Sequence, residues 1–217
     1  MLRKGSSGGT LMRDRPGALP HTFLSELRAL EDVYLHHGDP AEQSGFYDGP
    51  ERWRAEREPI LEAISADGEL LDAGCANGYL LECLVAWGRE RGVSLIPYGL
   101  DQGTSLIELA RRRQTHLADH FFIGNAWDWE PPQRFRYVYT LVDQVPLEYL
   151  EPYLLRLLGR AVAPGCRLIV GDYGSHSRGI SARDAAALLR SIGLTVAGSA
   201  EGGSHGVARF AWSERDD

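Results

Sequence analysis

The amino-acid sequence predicts a three-layer α/β fold, with a seven-stranded, mostly parallel sheet whose last strand is antiparallel, and with helices preceding it. Three observations support this prediction. From residue 69 onward, short apolar runs alternate with amphipathic helical segments, as in βαβ units. The first apolar run leads into a glycine-rich turn, which is typical of a ligand-binding α/β domain. The last two runs are joined by a short glycine-rich link, which favours an antiparallel hairpin.

The apolar periodicity assigns each element in turn. Strands are predicted at residues 70–73, 95–100, 120–123, 137–141, 167–171, 194–200 and 207–213. Helices are predicted between them at 79–91, 105–117, 146–163 and 182–192, and before them at 22–37 and 51–66. The chain is accordingly divided into a flexible tail over 1–20, a helical lid over 21–68 and one α/β domain over 69–217.

The composition restricts the class of partner. The chain of 217 residues has a formal net charge of −7, whereas proteins that bind the phosphates of nucleic acid usually carry a basic surface. A nucleic-acid partner is therefore not expected. Every apolar run is far shorter than the roughly 20 residues that a membrane span requires. Cys75, Cys83 and Cys166 form no CxxC pair, and the first 20 residues lack a secretory signal, so a cytoplasmic setting is predicted.

The most informative segment reads LLDAGCANGYLL, in which a buried strand ends at Asp72 and a helix begins after a tight turn. Gly74 and Gly78 let the backbone turn sharply and approach a ligand closely. A dinucleotide-binding turn would need glycine where Ala76 and Tyr79 stand, so this class of cofactor is not predicted. A glycine-rich turn without any ligand is the alternative.

The same segment resembles the first motif of Rossmann-like, class I S-adenosylmethionine-dependent methyltransferases. In that motif an acidic residue is followed by G-x-G-x-G, matched here by Asp72, Gly74, Ala76 and Gly78, with alanine in place of one glycine. The upstream sequence GPERWR is also similar to small, poorly characterised bacterial members. The resemblance covers about residues 69–213 and implies S-adenosylmethionine as the cofactor.

Two further loops extend the resemblance. Asp101 ends the second strand, and its two carboxylate oxygens suit the two hydroxyls of a ribose, although it could instead cap the next helix. Asn125 and Ala126 follow the third strand, where the family contacts adenine. The cofactor residues that the resemblance implies are Asp72, Gly74, Cys75, Ala76, Gly78, Asp101, Gln102, Asn125, Ala126, Leu141 and, for the cofactor carboxylate, Tyr47. For Tyr47, packing against the sheet is the alternative.

The methyl acceptor is expected beside the loop that follows the fourth strand. Asp143 in this loop is the candidate catalytic residue, which binds or deprotonates the acceptor, or else caps the helix near Pro146. Asp172 and Tyr173 after the fifth strand are expected to face the same opening and to bind substrate. His37 is a further substrate candidate, or a stabiliser of its helix end. Two acidic groups alone supply too few oxygen ligands for a hard cation, so no metal is predicted.

These observations predict a methyltransferase that acts on a small-molecule acceptor. A tRNA or rRNA methyltransferase is a weaker alternative, because the chain is acidic and shows no RNA-binding module. A non-catalytic module that binds S-adenosylmethionine is a third interpretation, since fold does not determine function. The two leading helices are expected to cover the cofactor as a lid. The acceptor atom and the oligomeric state have no signal in the sequence.

Overall fold

A twisted sheet occupies the centre of the computed structural model, which describes residues 17–175 and 178–217. Its strands are β1 (Gly68–Ala73), β2 (Leu95–Asp101), β3 (Phe121–Ile123), β4 (Phe135–Leu141), β5 (Val162–Tyr173), β6 (Gly198–Gly202) and β7 (Ala208–Glu214). The helices are α1 (His21–Leu35), α2 (Pro50–Arg57), α3 (Tyr79–Glu90), α4 (Thr104–Arg113), α5 (Leu150–Arg160) and α6 (Ala185–Ser191). Short 3-10 turns join several of these elements.

The strand order is β3-β2-β1-β4-β5-β7-β6. Strands β1 to β5 pair in parallel, whereas β7 runs antiparallel to both β5 and β6. The seven-stranded, mostly parallel sheet with an antiparallel last strand is therefore confirmed. Strand order reverses between β1 and β4, and open α/β sheets bind ligands at the carboxyl ends of the strands beside such a reversal.

The sheet divides the core into two apolar layers. Neighbouring residues of β1 belong to different layers, because successive side chains of a strand point to opposite faces. Leu71 belongs to the layer under α5 and α6, and Leu70 belongs to the layer under α2, α3 and α4. Both leucines are fully buried. The result is a sheet sandwiched between helices, as the alternation of strands and helices predicts.

The helices predicted over 51–66 and 146–163 differ most from their predicted bounds. The helix predicted over 51–66 is α-helical only to Arg57 and continues as a 3-10 turn over Glu58–Ala63. Pro59 lies at this change, where its ring removes a backbone donor. The helix predicted over 146–163 ends earlier, because Val162 already pairs with β4 as part of β5. Among the described residues, no helix has the length and apolar character needed to cross a membrane.

The segments before β1 pack against the domain in different ways. Residues 1–16 of the predicted tail lie outside the described residues, whereas Leu19 is buried and the Gly17 carbonyl accepts a hydrogen bond of 2.6 Å from Trp127 Nε1. Helix α1 has no fully buried residue. By contrast, Ile60, which follows α2, is completely buried in the core. The first part of the region 21–68 therefore lies on the surface, and its second part contributes to the core.

Candidate cofactor and acceptor site

The turn after β1 uses left-handed backbone conformations at three positions: Gly74 (φ 109°), Ala76 (φ 46°) and Gly78 (φ 73°). A side chain at Gly78 would meet Ala110 and Phe121 at 3.0 Å, so close packing with α4 and β3 requires glycine there. Ala76 stands where the methyltransferase motif has glycine, and its conformation costs an alanine about 1 to 2 kcal/mol. Some compensating contact must hold this residue in place.

Asp101 supplies that contact and joins two loops. Its Oδ2 accepts a hydrogen bond of 2.9 Å from Ala76 N, and its Oδ1 accepts one of 2.8 Å from Gly103 N at the start of α4. The carboxylate therefore fixes the glycine turn relative to the loop after β2. Each oxygen retains a second lone pair that can accept from a ribose hydroxyl. Burial raises the pKa of Asp101, and the two backbone donors act in the opposite direction.

Asn77, a residue that the sequence interpretation passed over, holds the glycine turn against the segment after α1. Its side chain is completely buried. Nδ2 donates to Pro40 O at 3.0 Å and to Gln43 Oε1 at 3.2 Å, while Oδ1 accepts from Ser44 Oγ at 2.8 Å and from Tyr79 N at 3.2 Å. No local pattern reveals this role, because three of the four partners lie more than thirty residues upstream.

The loop after β3 places Asn125 beside the loop after β2. Asn125 Nδ2 donates to Gln102 Oε1 at 3.1 Å, and Asn125 Oδ1 accepts from Trp127 N at 2.9 Å. The Asn125 oxygen keeps one lone pair, which can accept from an amino group such as that of adenine. The structure thus brings the predicted adenine and ribose loops together at one edge of the sheet.

Two connected cavities open at this edge, one of about 160 Å³ and one of about 610 Å³. The predicted cofactor residues that line the small cavity are Gly74, Ala76, Asp101, Gln102, Asn125, Ala126 and Leu141. The predicted residues that line the large cavity are Tyr47, Asp72, Gly74, Cys75, Ala76, Leu141, Asp143 and Tyr173. Gly78 lines neither cavity and serves the packing described above. The two cavities adjoin, because both are lined by Tyr34, Ser44, Gly74, Ala76, Leu141 and Asp143.

Three polar side chains, those of Asp72, Tyr139 and Tyr173, line the large cavity. Asp72 is buried, and desolvation, followed by the nearby charge of Asp101, raises its pKa to about 8. The hydroxyls of Tyr139 and Tyr173 are 3.2 Å apart, and burial raises the pKa of both. A cationic ligand group placed here would favour ionisation of Asp72, because it would stabilise the carboxylate that burial has removed from water.

Asp143 lies in a 3-10 turn, Val142–Gln144, directly after β4. Its surface is exposed to the cavities, yet protein surrounds much of the carboxyl, so desolvation and then the charge of Asp172 raise its pKa. No side-chain capping bond stabilises the start of the nearby helical segments, and α5 begins only at Leu150. Asp143 therefore lines both cavities and caps none of these helical segments.

Asp172 and Tyr173 do not face the same opening, which corrects the sequence interpretation. Both belong to β5, and consecutive strand residues point to opposite faces. Tyr173 lines the large cavity, whereas Asp172 lines neither. The Asp172 carboxylate instead accepts a hydrogen bond of 2.5 Å from Arg183 N, and it thereby anchors the segment before α6.

His37 also lies outside both cavity linings. Its Nδ1 is 3.3 Å from Glu42 Oε2, and its ring centroid is 5.1 Å from that of Tyr47. Tyr47 is exposed and lines the large cavity. His37 therefore supports Tyr47 rather than contacting the cavity directly.

Gln144 and Tyr34 were not identified as site residues from the sequence. A Cβ atom added to Gly74 would lie 2.5 Å from the Gln144 amide, so this side chain covers the glycine turn. Tyr34 lines both cavities, and burial followed by the charge of Asp143 raises its pKa to about 12. Within residues 17–175 and 178–217, no group of three or more His, Cys, Asp or Glu side chains is arranged to hold a metal ion.

Comparison with known proteins identifies the fold. No protein-family model matches the chain, and no curated protein matches it significantly. Among solved structures, a methyltransferase from a Haloferax volcanii complex with the Trm112 methyltransferase activator has a TM-score of 0.62 at 15% identity, over 88% of this chain and 98% of that one. An S-adenosylmethionine-dependent methyltransferase from Aquifex aeolicus has a TM-score of 0.58 at 16% identity, over 82% and 100% of the two chains.

A third structure is an O-methyltransferase family 2 protein from Planctomyces limnophilus in complex with apigenin. It has a TM-score of 0.58 at 11% identity, and the match covers 86% of this chain and 61% of that one. At these identities the similarity establishes the fold. The chain has the Rossmann-like fold of class I S-adenosylmethionine-dependent methyltransferases, as the glycine turn and the strand pattern predict.

Proposed function

We propose that the protein transfers the methyl group of S-adenosylmethionine to a small-molecule acceptor. One observation carries this proposal. The glycine turn, Asp101 and Asn125 come from three separate loops, and all of them line one small cavity that adjoins a larger one, with Asp143 lining both. An elongated cofactor with a nucleoside at one end and a reactive centre near the other matches this arrangement.

The donors and acceptors of the small cavity suit the nucleoside. Asn125 and the backbone at Ala126 would bind adenine, and the free lone pairs of Asp101 would accept from the ribose hydroxyls. The amino acid part of the cofactor would extend past the glycine turn into the large cavity, which Gly74 and Asp72 both line. Its ammonium group would lie near Asp72, whose raised pKa falls when a cation approaches.

The protein's contribution to the reaction is to position and deprotonate the acceptor. When bound, the cofactor supplies a methyl group already activated by a sulfonium, so the acceptor needs only a lone pair aligned with the carbon–sulfur bond. Asp143 would hold the acceptor at the junction of the cavities and accept its proton. A carboxylate with a raised pKa is suited to accept a proton near neutral pH.

The first part of the region 21–68 is proposed to act as the lid. Glu31 Oε1 on α1 accepts a hydrogen bond of 3.0 Å from Ser105 N on α4. Tyr34 and Ser44 line both cavities, and Tyr47 lines the large one. A surface helix without a fully buried residue can open for exchange and then exclude water when it closes.

A small acceptor is favoured over tRNA or rRNA by size and charge. The large cavity, at about 610 Å³, matches the usual volume of small-molecule sites, and the chain carries a net charge of −7. Two of the structural neighbours point the same way, one solved with apigenin and the other the pyocyanin biosynthetic protein PhzM. The cytoplasmic setting stays a prediction from the cysteine pattern.

Calorimetry followed by a transfer assay tests this function. We expect S-adenosylhomocysteine and S-adenosylmethionine to bind and NAD to give no heat, because Ala76 and Tyr79 replace the glycines of the dinucleotide turn. Methyl transfer from labelled cofactor to small acceptors is then expected. Binding of NAD without binding of S-adenosylhomocysteine would contradict the cofactor assignment. Cofactor binding without transfer to any acceptor would favour the non-catalytic module.

A further inference from the structure

Arg57, the last residue of α2, has a guanidinium enclosed by aromatic rings. Only 7% of the residue is exposed. Its Cζ lies 4.0 Å from the ring centroid of Trp53, 4.3 Å from that of Phe46 and 4.6 Å from that of Tyr173. Cations are attracted to ring faces, so the three rings hold the guanidinium in one orientation and leave its edges for hydrogen bonding.

The Arg57 guanidinium lacks a full set of partners. Among the described residues, its buried Nη1 has no hydrogen-bond acceptor. The nearest carboxylate oxygen, Glu56 Oε2, is 3.5 Å from Nη1, and the other oxygen of Glu56 already accepts a hydrogen bond of 2.8 Å from Arg52. Burying a charged donor without an acceptor is unfavourable. Glu56 balances the charge of Arg57 as an ion pair, and an anion bound in the large cavity would supply a further acceptor to the guanidinium.

The position of Arg57 separates it from the nucleoside end of the cofactor site. Arg57 lines the large cavity and not the small one. It packs on Tyr173 at the end of β5, whereas Asp101 and Asn125 follow β2 and β3 on the other side of β1. Two strand spacings separate β5 from the glycine turn of β1, or roughly 10 Å. Arg57 is therefore remote from the adenine and ribose loops, on the side of the site where the acceptor is proposed to bind.

We propose that the methyl acceptor is a small organic acid, and that Arg57 binds its carboxylate. This inference rests on the proposed function and specifies its substrate class. The planar guanidinium matches a carboxylate with two parallel hydrogen bonds, which fixes the orientation as well as the affinity of the acceptor. The aromatic walls of the cavity, including Tyr47, contact the body of the acid, while its nucleophile points toward Asp143. Arg57 is thus a specificity-determining residue.

Benzoate and the neutral benzamide are matched probes for this site. Protein saturated with S-adenosylhomocysteine is titrated with each probe, and binding is followed by ligand-observed NMR. We expect benzoate to bind and benzamide to bind at least tenfold more weakly. Arg57→Met should weaken benzoate at least tenfold, and Arg57→Lys should also weaken it, because lysine keeps the charge but lacks the bidentate fork. Arg54→Met is the control, since Arg54 lies on the same helix outside both cavities.

The outcomes separate this inference from the proposed function. Absence of benzoate binding to the wild type, or equal binding to a folded Arg57 variant, overturns the carboxylate site. A tenfold loss of S-adenosylhomocysteine affinity in Arg57→Lys, with benzoate unchanged, assigns Arg57 to the cofactor instead and also overturns it. Failure of the wild type to bind S-adenosylhomocysteine contradicts the proposed function. Thermal melts identify unfolded Arg57→Met protein, in which case Arg57→Lys decides the result.

Discussion

Ser44 donates a hydrogen bond of 2.8 Å to Asn77, which connects the segment after α1 to the glycine turn across 33 residues of sequence. The Asn77 carboxamide also donates to two acceptors in that segment, Pro40 O and Gln43 Oε1. A single buried side chain thereby couples the surface segment to the loop that is proposed to hold the cofactor.

Asn77→Ala should lower the free energy of unfolding by about 1 to 3 kcal/mol, because buried partners lose their hydrogen bonds. It should also weaken binding of S-adenosylhomocysteine, since the turn and the segment at Ser44 are no longer held together. Denaturant unfolding and calorimetry measure the two effects. Gln43→Ala removes one of the Asn77 contacts, together with the bond from Gln43 Nε2 to His37 O, and should cost less. Unchanged stability and affinity in Asn77→Ala would show that the network has no energetic role.

Asp101→Ala should weaken cofactor binding by about 1.5 to 3 kcal/mol, the range for hydrogen bonds to a charged group. Two losses combine here, because the ribose loses its acceptor and Ala76 loses the contact that stabilises its left-handed backbone. Asp101→Asn keeps one acceptor oxygen and should have a smaller effect. An unchanged dissociation constant with an intact circular dichroism spectrum would show that Asp101 only organises the start of α4.

Asp72 should make folding stability fall as pH rises. Its pKa in the folded protein is about 8, whereas the ordinary value is 3.8. Between these values the folded state binds more protons than the unfolded state, so its advantage decreases with rising pH. Compared with Asp72→Asn, the wild type should lose at most about 1.4 kcal/mol per pH unit over this interval. Parallel stability curves for the two proteins would contradict the raised pKa.

Hydrogen exchange tests the lid. S-adenosylhomocysteine should slow exchange in residues 34–53 as well as in the glycine turn, because Tyr34 and Ser44 line both cavities. The completely buried Ile60, after α2, is a reference whose exchange should change little. NAD is the control ligand and should protect neither region. Protection confined to the glycine turn would leave the leading helices as packing elements without a role in closure.

Much of the fold was predictable because its signals are local. The alternation of apolar runs and amphipathic segments gives the strands and helices between residues 69 and 213, and the short link before β7 predicts its antiparallel direction. The turn at Gly74 and the carboxylate of Asp101 can likewise be identified from residue types at fixed spacing. Each of these features depends on a few neighbouring residues, so the sequence alone is sufficient.

Boundaries and side-chain directions were less predictable. The strand predicted to end at residue 171 extends to Tyr173, and this extension turns Asp172 away from the opening that Tyr173 faces. Local composition favours a loop there, but pairing with β7 continues the strand. The two additional residues, Asp172 and Tyr173, are consecutive in the strand, so their side chains point to opposite faces.

The sequence by itself determined that this chain forms a mostly parallel α/β sheet with a glycine turn suited to a nucleoside cofactor. Only the tertiary structure decided that Asn77 clamps an upstream segment and that the ring of the distant Tyr173 joins those of Phe46 and Trp53 around Arg57. The physical reason is the range of the interactions involved. Periodicity and backbone conformation act within a few residues, whereas hydrogen bonding, burial and the environment of a charge depend on segments that meet only when the chain has folded.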